Sequence, residues 1–400
     1  MKILITGAQG FIGKNLVAQL NNIKEGKAQY PALPSEIKIL EFDVDTDPTL
    51  LDEYCQQADF VFHLAGVNRP KEQSEFMEGN FGFTSTLLDT LRKHDNYCPI
   101  MLSSSIQAEL DNPYGRSKLA GENAIRRHFE EPRTKSQEPS GKSQVESTKS
   151  QVGEAFIYRF PNVFGKWCRP NYNSAVATFC HNIAHDLPVQ INDPAVEMTL
   201  VYIDDVVHEL INCLTGKANR VNDYCQVPVE HQIKLGAIVE LLYNFKASRT
   251  NLQIPNMADA FTKKLYSTYL SYLPETNFSY PLKMYIDERG SFTEFLKSPE
   301  RGQVSINISK PGITKGQHWH HTKNEKFLVV AGKGIIRFRK IDEPSNIIEY
   351  PVSGEKLEVV DIPVGYTHNI ENLGDTDMVT VMWVNEVFDA EKPDTYFETV

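Results

Sequence analysis

The first two-thirds of the chain alternate short apolar runs with longer segments whose apolar residues recur at helical spacing. A helix is predicted at Thr84–Lys93 and another around Tyr114. Strands alternating with helices are typical of a doubly wound parallel α/β sheet. The predicted strands are Lys2–Thr6, Ile37–Phe42, Phe60–Leu64, Ile100–Leu102 and Ala155–Phe160.

From about Tyr280 the pattern changes to short β-rich segments separated by glycine, proline and asparagine. Regular short strands of this kind predict an all-β sandwich or barrel. We therefore expect two domains, residues 1–275 and 280–400, with a connecting helix at Ala258–Tyr272. The predicted strands of the second domain are Gln303–Ile308, Lys326–Val330, Gly334–Lys340, Lys356–Ile362 and Met378–Val384.

Residues 131–152 interrupt the pattern of the first domain. Lys-Ser-Gln recurs there every seven residues without apolar positions. A coiled coil would need apolar a and d positions. We therefore expect a disordered surface insertion without a catalytic role.

Composition excludes several classes of function. The chain has 400 residues, 41% of them hydrophobic, and a formal charge of −11, which argues against nucleic acid and anionic membranes as partners. No apolar run approaches the roughly 18 residues of a membrane span. The six cysteines are scattered without a CxxC pair, as expected for reduced thiols. We expect a cytoplasmic protein.

A glycine-rich loop, Gly7-Ala-Gln-Gly10-Phe11-Ile12-Gly13, directly follows the first predicted strand and begins a helix. Glycines allow a tight turn and close approach of the backbone to a pyrophosphate, which the helix N-terminus attracts. Asp43 ends the second strand and is placed to bind the adenine ribose, which favours NAD, although a solvated loop carboxylate is the alternative. The third predicted strand ends in His63-Leu64-Ala65-Gly66, where small residues should let the backbone pass under the cofactor.

Tyr114 and Lys118 lie four residues apart, so on a helix they share one face. A nearby ammonium is expected to lower the phenol pKa and make Tyr114 a usable proton donor or acceptor. Ser103–Ser105 follow the fourth predicted strand and add hydroxyls. Such a set suits polarisation of a carbonyl. An ordinary helix-surface pair is the alternative, and the upstream nucleotide loop argues against it.

Residues 166–174 form a segment rich in cationic, aromatic and amide side chains. This composition suits an anionic, hydroxyl-rich ligand, although an ordinary surface loop is the alternative. The candidate substrate-binding residues are Asn162, Arg169 and Asn173.

The β-rich region contains a potential metal site. His318 and His320 share one face of a predicted strand, and Glu325 and His368 complete a set of three imidazoles and a carboxylate. This set suits Zn, Mn, Fe or Ni.

Several of these motifs resemble known families. Thr6–Gly13, His63–Gly66, Ser103–Ser105, Tyr114 with Lys118, and Arg159–Gly165 resemble the extended short-chain dehydrogenase/reductase family, which implies a Rossmann fold. The C-terminal region resembles a cupin barrel, although Leu357 stands where the second cupin motif begins with glycine.

The combination of the two domains resembles a family of bifunctional capsular-polysaccharide biosynthesis enzymes. The segments that carry this resemblance are Asn112–Lys118, Phe164–Trp167 and His318–Glu325. It implies that the cupin epimerises C3 of a UDP-2-acetamido-2,6-dideoxy-4-hexulose and that the reductase reduces the C4 ketone, giving UDP-N-acetyl-6-deoxy-L-talosamine. It also implies catalytic roles for Ser105, Tyr114 and Lys118, a zinc ion, a homodimer, and NADPH rather than the NAD favoured by Asp43.

Two other functions remain open at this stage. One is an NAD-dependent nucleotide-sugar 4-epimerase or dehydratase with a structural cupin, and the other is a non-catalytic sensor of redox state or sugar nucleotides. The metal is either catalytic or structural. His321 and Tyr366 are weak candidates for the proton-transfer pair of an epimerase.

Overall fold

The computed structural model describes residues 1–34, 36–130 and 153–400. The predicted insertion at 131–152 lies outside the described residues. The chain forms two compact units. The first comprises Met1–Leu242 and Ser267–Tyr272, and the second comprises Tyr243–Tyr266 and Leu273–Val400.

The first unit contains a seven-stranded sheet with the order β2-β1-β3-β4-β5-β9-β8, parallel except at the β8–β9 pair, and a three-stranded sheet with the order β10-β7-β6. The strands are β1 (Lys2–Thr6), β2 (Lys38–Phe42), β3 (Phe60–His63), β4 (Ile100–Ser105), β5 (Ala155–Phe160), β6 (Asn162–Phe164), β7 (Glu197–Tyr202), β8 (Arg220–Val221), β9 (Tyr224–Cys225) and β10 (His231–Lys234).

Helices cover both faces of the larger sheet, so the predicted doubly wound, Rossmann-like fold is confirmed. The helices of the described chain are α1 (Phe11–Lys24), α2 (Leu50–Gln57), α3 (Ser74–Phe76), a π-helical turn (Met77–Gly82), α4 (Phe83–Lys93), a 3₁₀ turn (Ile106–Glu109), α5 (Pro113–Glu130), α6 (Ala175–Ala184), α7 (Ile203–Leu214), α8 (Leu235–Asn251), α9 (Ala260–Leu270) and a second 3₁₀ turn (Glu275–Asn277). The last 3₁₀ turn lies in the second unit, and α8 and α9 each lie partly in it. Among the described helices, none combines the length and apolar character needed to cross a bilayer.

β4 is longer than its apolar run predicts. It continues from Leu102 through Ser105 because its parallel register with β5 extends to the pair Ser105–Phe160. The three serines therefore belong to the strand, and their side chains alternate between its two faces.

From Met284 onward the second unit is all-β, as predicted for residues 280–400, whereas its segment Tyr243–Tyr266 contains parts of α8 and α9. Its two antiparallel sheets have the orders β11-β12-β13-β20-β15-β18 and β17-β16-β19-β14-β21. The strands are β11 (Met284–Asp287), β12 (Gly290–Ser298), β13 (Gly302–Ser309), β14 (Thr314–Trp319), β15 (Glu325–Ala331), β16 (Lys333–Lys340), β17 (Ile347–Ser353), β18 (Val359–Ile362), β19 (Tyr366–Asn372), β20 (Met378–Val384) and β21 (Tyr396–Phe397).

These two sheets pack face to face. Phe327 of one sheet and Ile336, Phe338 and Ile370 of the other belong to a single buried cluster. Among the described residues, each strand of this unit pairs only with strands of its own sheet. Strand pairing therefore does not join the two sheets into the closed barrel that the cupin resemblance implied. Antiparallel sheets of this kind still bury one common interior.

A buried histidine joins the carboxyl ends of β1 and β3 to helix α4. His63 Nδ1 lies 2.7 Å from Thr6 Oγ1, and His63 Nε2 lies 2.8 Å from Thr84 Oγ1. Burial, together with the charge of Lys118, lowers the pKa of His63 to about 3. The imidazole is therefore neutral in the folded protein at neutral pH and serves a structural role.

This shift predicts a pH-dependent stability. Between pH 3 and 6.5 the unfolded chain binds one more proton at His63 than the folded chain, so the free energy of unfolding falls as the pH falls through that window. For one proton the slope is about 1.4 kcal/mol per pH unit. We expect His63→Gln to remove this component in urea unfolding measured from pH 7 to 4. His185→Gln, at an exposed position, is the control, and equal slopes in all three proteins would contradict the prediction.

Candidate active site and metal centre

The glycine-rich loop forms a tight turn between β1 and α1. Gly7 has φ of +69°, and a Cβ there would lie 2.7 Å from Ala65 N. A Cβ on Gly13 would lie 2.1 Å from Gly7 O. Gly10 is the N-cap of α1 and provides no side chain to its first amides. The backbone N–H groups around Phe11 and Ile12 are thus available to an anionic ligand.

Gly66 lies next to the predicted catalytic lysine. A Cβ on Gly66 would lie 3.0 Å from Lys118 Nζ and 2.8 Å from Asn80 Oδ1. Asn80 holds this segment in place, because its side chain exchanges hydrogen bonds of 2.9 and 3.0 Å with the backbone of Val67. The structure therefore brings Gly7, Ala65, Gly66 and Lys118 to the same edge of the sheet.

Asp43 also lies beside the loop. Its Oδ2 accepts a hydrogen bond of 2.8 Å from Gln9 N, and its backbone N–H donates to Thr46 Oγ1 at 2.9 Å. The neighbouring Val44 is 92% exposed. The carboxylate is therefore held directly after β2, beside the glycine-rich loop.

Tyr114 and Lys118 face the same site from α5. The Tyr114 hydroxyl donates to Asn68 Oδ1 at 3.0 Å, and Ser105 hydrogen-bonds the same phenol. Lys118 Nζ lies 5.7 Å from the centre of the Tyr114 ring and donates to Ser103 O at 3.2 Å. The hydroxyl, phenol and ammonium predicted from sequence therefore meet, and Asn68 is an additional member.

The expected lowering of the phenol pKa is wrong for this structure. Burial raises the pKa of Tyr114, and the hydrogen bond from Ser105 offsets only part of that effect. Burial lowers the pKa of Lys118 to about 8, although Glu122 opposes this shift. Sequence spacing indicates which groups meet, but the depth of burial decides the direction of their pKa shifts.

A buried ion pair supports this face of α5. Glu122 is fully buried one turn beyond Lys118 and accepts two hydrogen bonds from Arg159, at 2.9 and 2.7 Å. It also accepts a hydrogen bond of 2.5 Å from Ser104 Oγ. Sequence reasoning missed Glu122, although its i, i+4 spacing from Lys118 was a usable signal.

The three candidate substrate-binding residues are all exposed. The guanidinium of Arg169 lies 5.5 Å from the centre of the Tyr172 ring, and Tyr172 is near enough to Tyr114 to raise its pKa. Arg169 therefore belongs to the surroundings of the phenol. Asn162 lies in β6 and Asn173 precedes α6, and their side chains are open to a ligand from solvent.

In the second unit, His318, His320, Glu325 and His368 converge. Each offers a ligand atom, and these atoms lie within 4.8 Å of one another. Glu325 Oε2 is 3.2 Å from His368 Nε2 and 3.6 Å from His320 Nε2. His318 in β14, His320 directly after β14, Glu325 at the start of β15 and His368 in β19 thus bring together the metal ligands predicted from the sequence.

The electrostatics of this cluster fit a metal cation. His320 Nε2, Glu325 Oε2 and both ring nitrogens of His368 are buried and make no hydrogen bond of good geometry with any described residue. Burial lowers the pKa of His318 to about 4. Burial would raise the pKa of Glu325, but His320 and His368 outweigh it and hold the pKa at about 2. A neutral His318 imidazole and an ionised Glu325 carboxylate are forms that bind a divalent cation.

Asp394 orients one ligand, and no motif in the sequence indicates this role. Its backbone carbonyl accepts a hydrogen bond from His320 Nδ1, which leaves Nε2 free to coordinate. Its carboxylate accepts hydrogen bonds from the backbone amides of His321, Thr322 and Lys323 at 3.0, 2.7 and 2.9 Å. Hydrogen bonds of this kind set the tautomer and direction of a metal-binding histidine.

A cavity of about 710 Å³ extends from this cluster between the two sheets. Polar and charged residues from β11 to β14 line it together with the four candidate ligands. Neither His321 nor Tyr366 is among the described residues that line this cavity. His321 instead packs against Trp319 and Tyr396, with ring centres 4.4 and 5.1 Å apart. The structure therefore does not support these two as a proton-transfer pair.

Family models match both units. Residues 3–224 match the model described as the NAD dependent epimerase/dehydratase family. The chain belongs to this family. Residues 285–396 match a second model, the polysaccharide biosynthesis C-terminal domain.

Full-length relatives share both parts. The chain is 44% identical over 398 residues to the UDP-2-acetamido-2,6-beta-L-arabino-hexul-4-ose reductase of Pseudomonas aeruginosa, covering 99% of this chain and 98% of that protein. It is similar to the crystal structure of the capsular polysaccharide assembling protein CapF from Staphylococcus aureus, with 54% identity, full coverage of both chains and a TM-score of 0.88. A structure of CapF with the inhibitor 3-isopropenyl-tropolone is 49% identical, with full coverage and a TM-score of 0.83.

The cluster of histidines predicts stoichiometric metal binding. We expect His368→Asn to abolish high-affinity Zn²⁺ binding, measured by calorimetry on metal-stripped protein, because it removes a fully buried ligand. The matched control is His321→Asn, a nearby histidine outside the cluster. Equal zinc affinity of the two variants would contradict this assignment.

Proposed function

We propose that this chain is a bifunctional nucleotide-sugar enzyme of surface-polysaccharide biosynthesis. Residues 280–400 epimerise C3 of a UDP-2-acetamido-2,6-dideoxy-4-hexulose, and residues 1–275 reduce the C4 ketone with NAD(P)H. The product is UDP-N-acetyl-6-deoxy-L-talosamine. The observation that carries the proposal is the convergence of Ser105, Tyr114 and Lys118 beside the glycine-rich loop.

The reductase residues have distinct roles in this proposal. When bound, NAD(P)H supplies the hydride for C4. Tyr114 donates its phenolic proton to the C4 oxygen, and the burial that raises its pKa keeps it in the protonated, donating form. Ser105 hydrogen-bonds the same oxygen, and the ammonium of Lys118 stabilises the phenolate that remains.

The choice of cofactor rests on two opposing arguments. Asp43 lies beside the loop, where its charge would repel a ribose 2′-phosphate. The resemblance to capsular-polysaccharide enzymes supports NADPH instead. We propose NADPH as the preferred donor and NADH as an alternative that the same site accepts.

The epimerase half uses the cavity of the second unit. Its volume of about 710 Å³ falls within the usual range for a small-molecule site. His318, His320, Glu325 and His368 would hold a zinc ion. When bound, the ion would act as a Lewis acid beside the cavity. Shared coordination by these ligands would also link β14, β15 and β19.

A second candidate function follows from Asp43. Its position favours tightly bound NAD, as used by 4-epimerases and dehydratases that recycle the cofactor. In that case the second unit would be structural. The two candidates differ in whether reduced cofactor is consumed with each turnover.

Substitution of the phenol tests the reductase half. We expect Tyr114→Phe to lower reduction of a UDP-linked 4-ketosugar by about 10²- to 10⁴-fold, since it removes the proton donor. Oxidation of NADPH is followed by absorbance, and cofactor binding, measured by calorimetry, should be unchanged. Tyr243→Phe, at a 49% exposed tyrosine, is the control. Unchanged turnover in Tyr114→Phe would eliminate the assignment.

The order of the two reactions is tested in D₂O. We expect the protein to introduce deuterium at C3 of the UDP-2-acetamido-2,6-dideoxy-4-hexulose without NADPH, and to yield the C4 alcohol with one NADPH consumed per product when it is present. NMR identifies both products. Conversion without net NADPH consumption would support the recycling alternative. An alcohol that retains the original C3 configuration without deuterium would refute the epimerase half.

A further inference from the structure

The interior of the second unit is polar along one whole strand. β13 directs Gln303, Ser305 and Asn307 inward, where they are 3, 2 and 5% exposed, and directs Val304 and Ile306 the other way. Gln303 Nε2 donates to Ser305 Oγ at 3.1 Å, whereas Gln303 Oε1 is buried without a hydrogen-bond partner among the described residues. All three polar residues line the cavity beside the histidine cluster. A buried acceptor of this kind is suited to a ligand rich in N–H and O–H groups.

A bulge in β14 turns a lysine toward the same cavity. Lys315 pairs with Ile370 and His318 pairs with His368, so Gln317 is an extra residue between them. Gln317 has φ of +61°. In a regular strand, residues three apart would face opposite sides. The extra residue shifts the alternation of side chains by one position, so Lys315 and His318 both face the cavity.

The amine of Lys315 is held in a defined position. Its Nζ donates to Asn307 Oδ1 and to Ile308 O, both at 2.8 Å. Two acceptors use both hydrogens of a neutral amine and leave its lone pair available. Burial lowers the pKa of Lys315, while Asp287 raises it and Arg289 lowers it further. Asp287 and Arg289, which are paired with each other at 2.6 Å, also line the cavity.

We infer that Lys315 is the catalytic base that removes the C3 proton of the 4-ketosugar in this cavity, an inference that rests on the proposed epimerase function. The C3–H bond breaks and its proton passes to Nζ. The electron pair forms the C3–C4 double bond while the carbonyl π pair moves onto the C4 oxygen. Water then returns a proton to the opposite face of C3, the carbonyl reforms, and the ammonium of Lys315 loses its proton to solvent.

Three variants test this role by deuterium uptake at C3 in D₂O, without reduced cofactor. Arginine keeps the positive charge but does not lose its proton near neutral pH, so Lys315→Arg should lower uptake by about 10²-fold or more. Lys315→Ala should be equally impaired and should regain uptake when ethylamine is added. The control is Lys333→Arg, whose 66% exposed side chain is outside the cavity. Zinc content and binding of the unlabelled UDP-sugar, measured by calorimetry, should match wild type in every variant.

The outcomes separate this inference from the proposed function. The assignment of Lys315 as the base is supported if wild type and Lys333→Arg take up deuterium, Lys315→Arg does not, and ethylamine restores uptake by Lys315→Ala. If Lys315→Arg retains wild-type uptake, or if Lys315→Ala loses uptake and ethylamine does not restore it, Lys315 is not the catalytic base. The proposed function would remain intact in either case. No uptake by wild type overturns the epimerase half, and this inference with it.

Discussion

The burial of the Lys118 ammonium determines much of the geometry in the first unit. Its Nζ donates to the carbonyl of Ser103 within β4 and lies against Gly66 beyond the end of β3. One side chain thus connects α5 to β4 and to the segment that follows β3. A buried cation without compensation is costly, and the buried carboxylate of Glu122 one turn away offsets part of that cost. Glu122 is itself paired with Arg159, so the ion pair belongs to the same constraint.

The charge of Lys118 also affects neighbouring groups. It acts with burial to keep His63 neutral, so that His63 links Thr6 and Thr84 by hydrogen bonds alone. Tyr114 remains a neutral phenol because its burial outweighs the hydrogen bond from Ser105. Around the phenol the site therefore combines the buried cation of Lys118 with the neutral hydroxyls of Tyr114 and Ser105 and the amide of Asn68.

The second unit also contains a partly buried charged group, here a carboxylate instead of an ammonium. This carboxylate, Glu325, is surrounded by three imidazoles, and its ionised form is favoured by His320 and His368. The polar face of β13 continues this environment across the cavity. Because buried polar atoms without partners are rare in folded proteins, their concentration here distinguishes this interior from the apolar core around Phe338.

The sequence alone was enough to predict features that depend on local spacing. The turn at Gly7, the Tyr114–Lys118 face and the His318–His320 pair follow from the periods of helices and strands, which a few neighbouring residues determine. Only the tertiary structure decided features that depend on long-range register or burial. Asn68 and Arg159 reach the site from distant segments, the bulge at Gln317 reverses the side on which Lys315 lies, and burial raises the pKa of Tyr114. The burial of a group, and the face of the sheet on which a strand residue lies, depend on residues far apart in the chain. Local periodicity therefore cannot predict them.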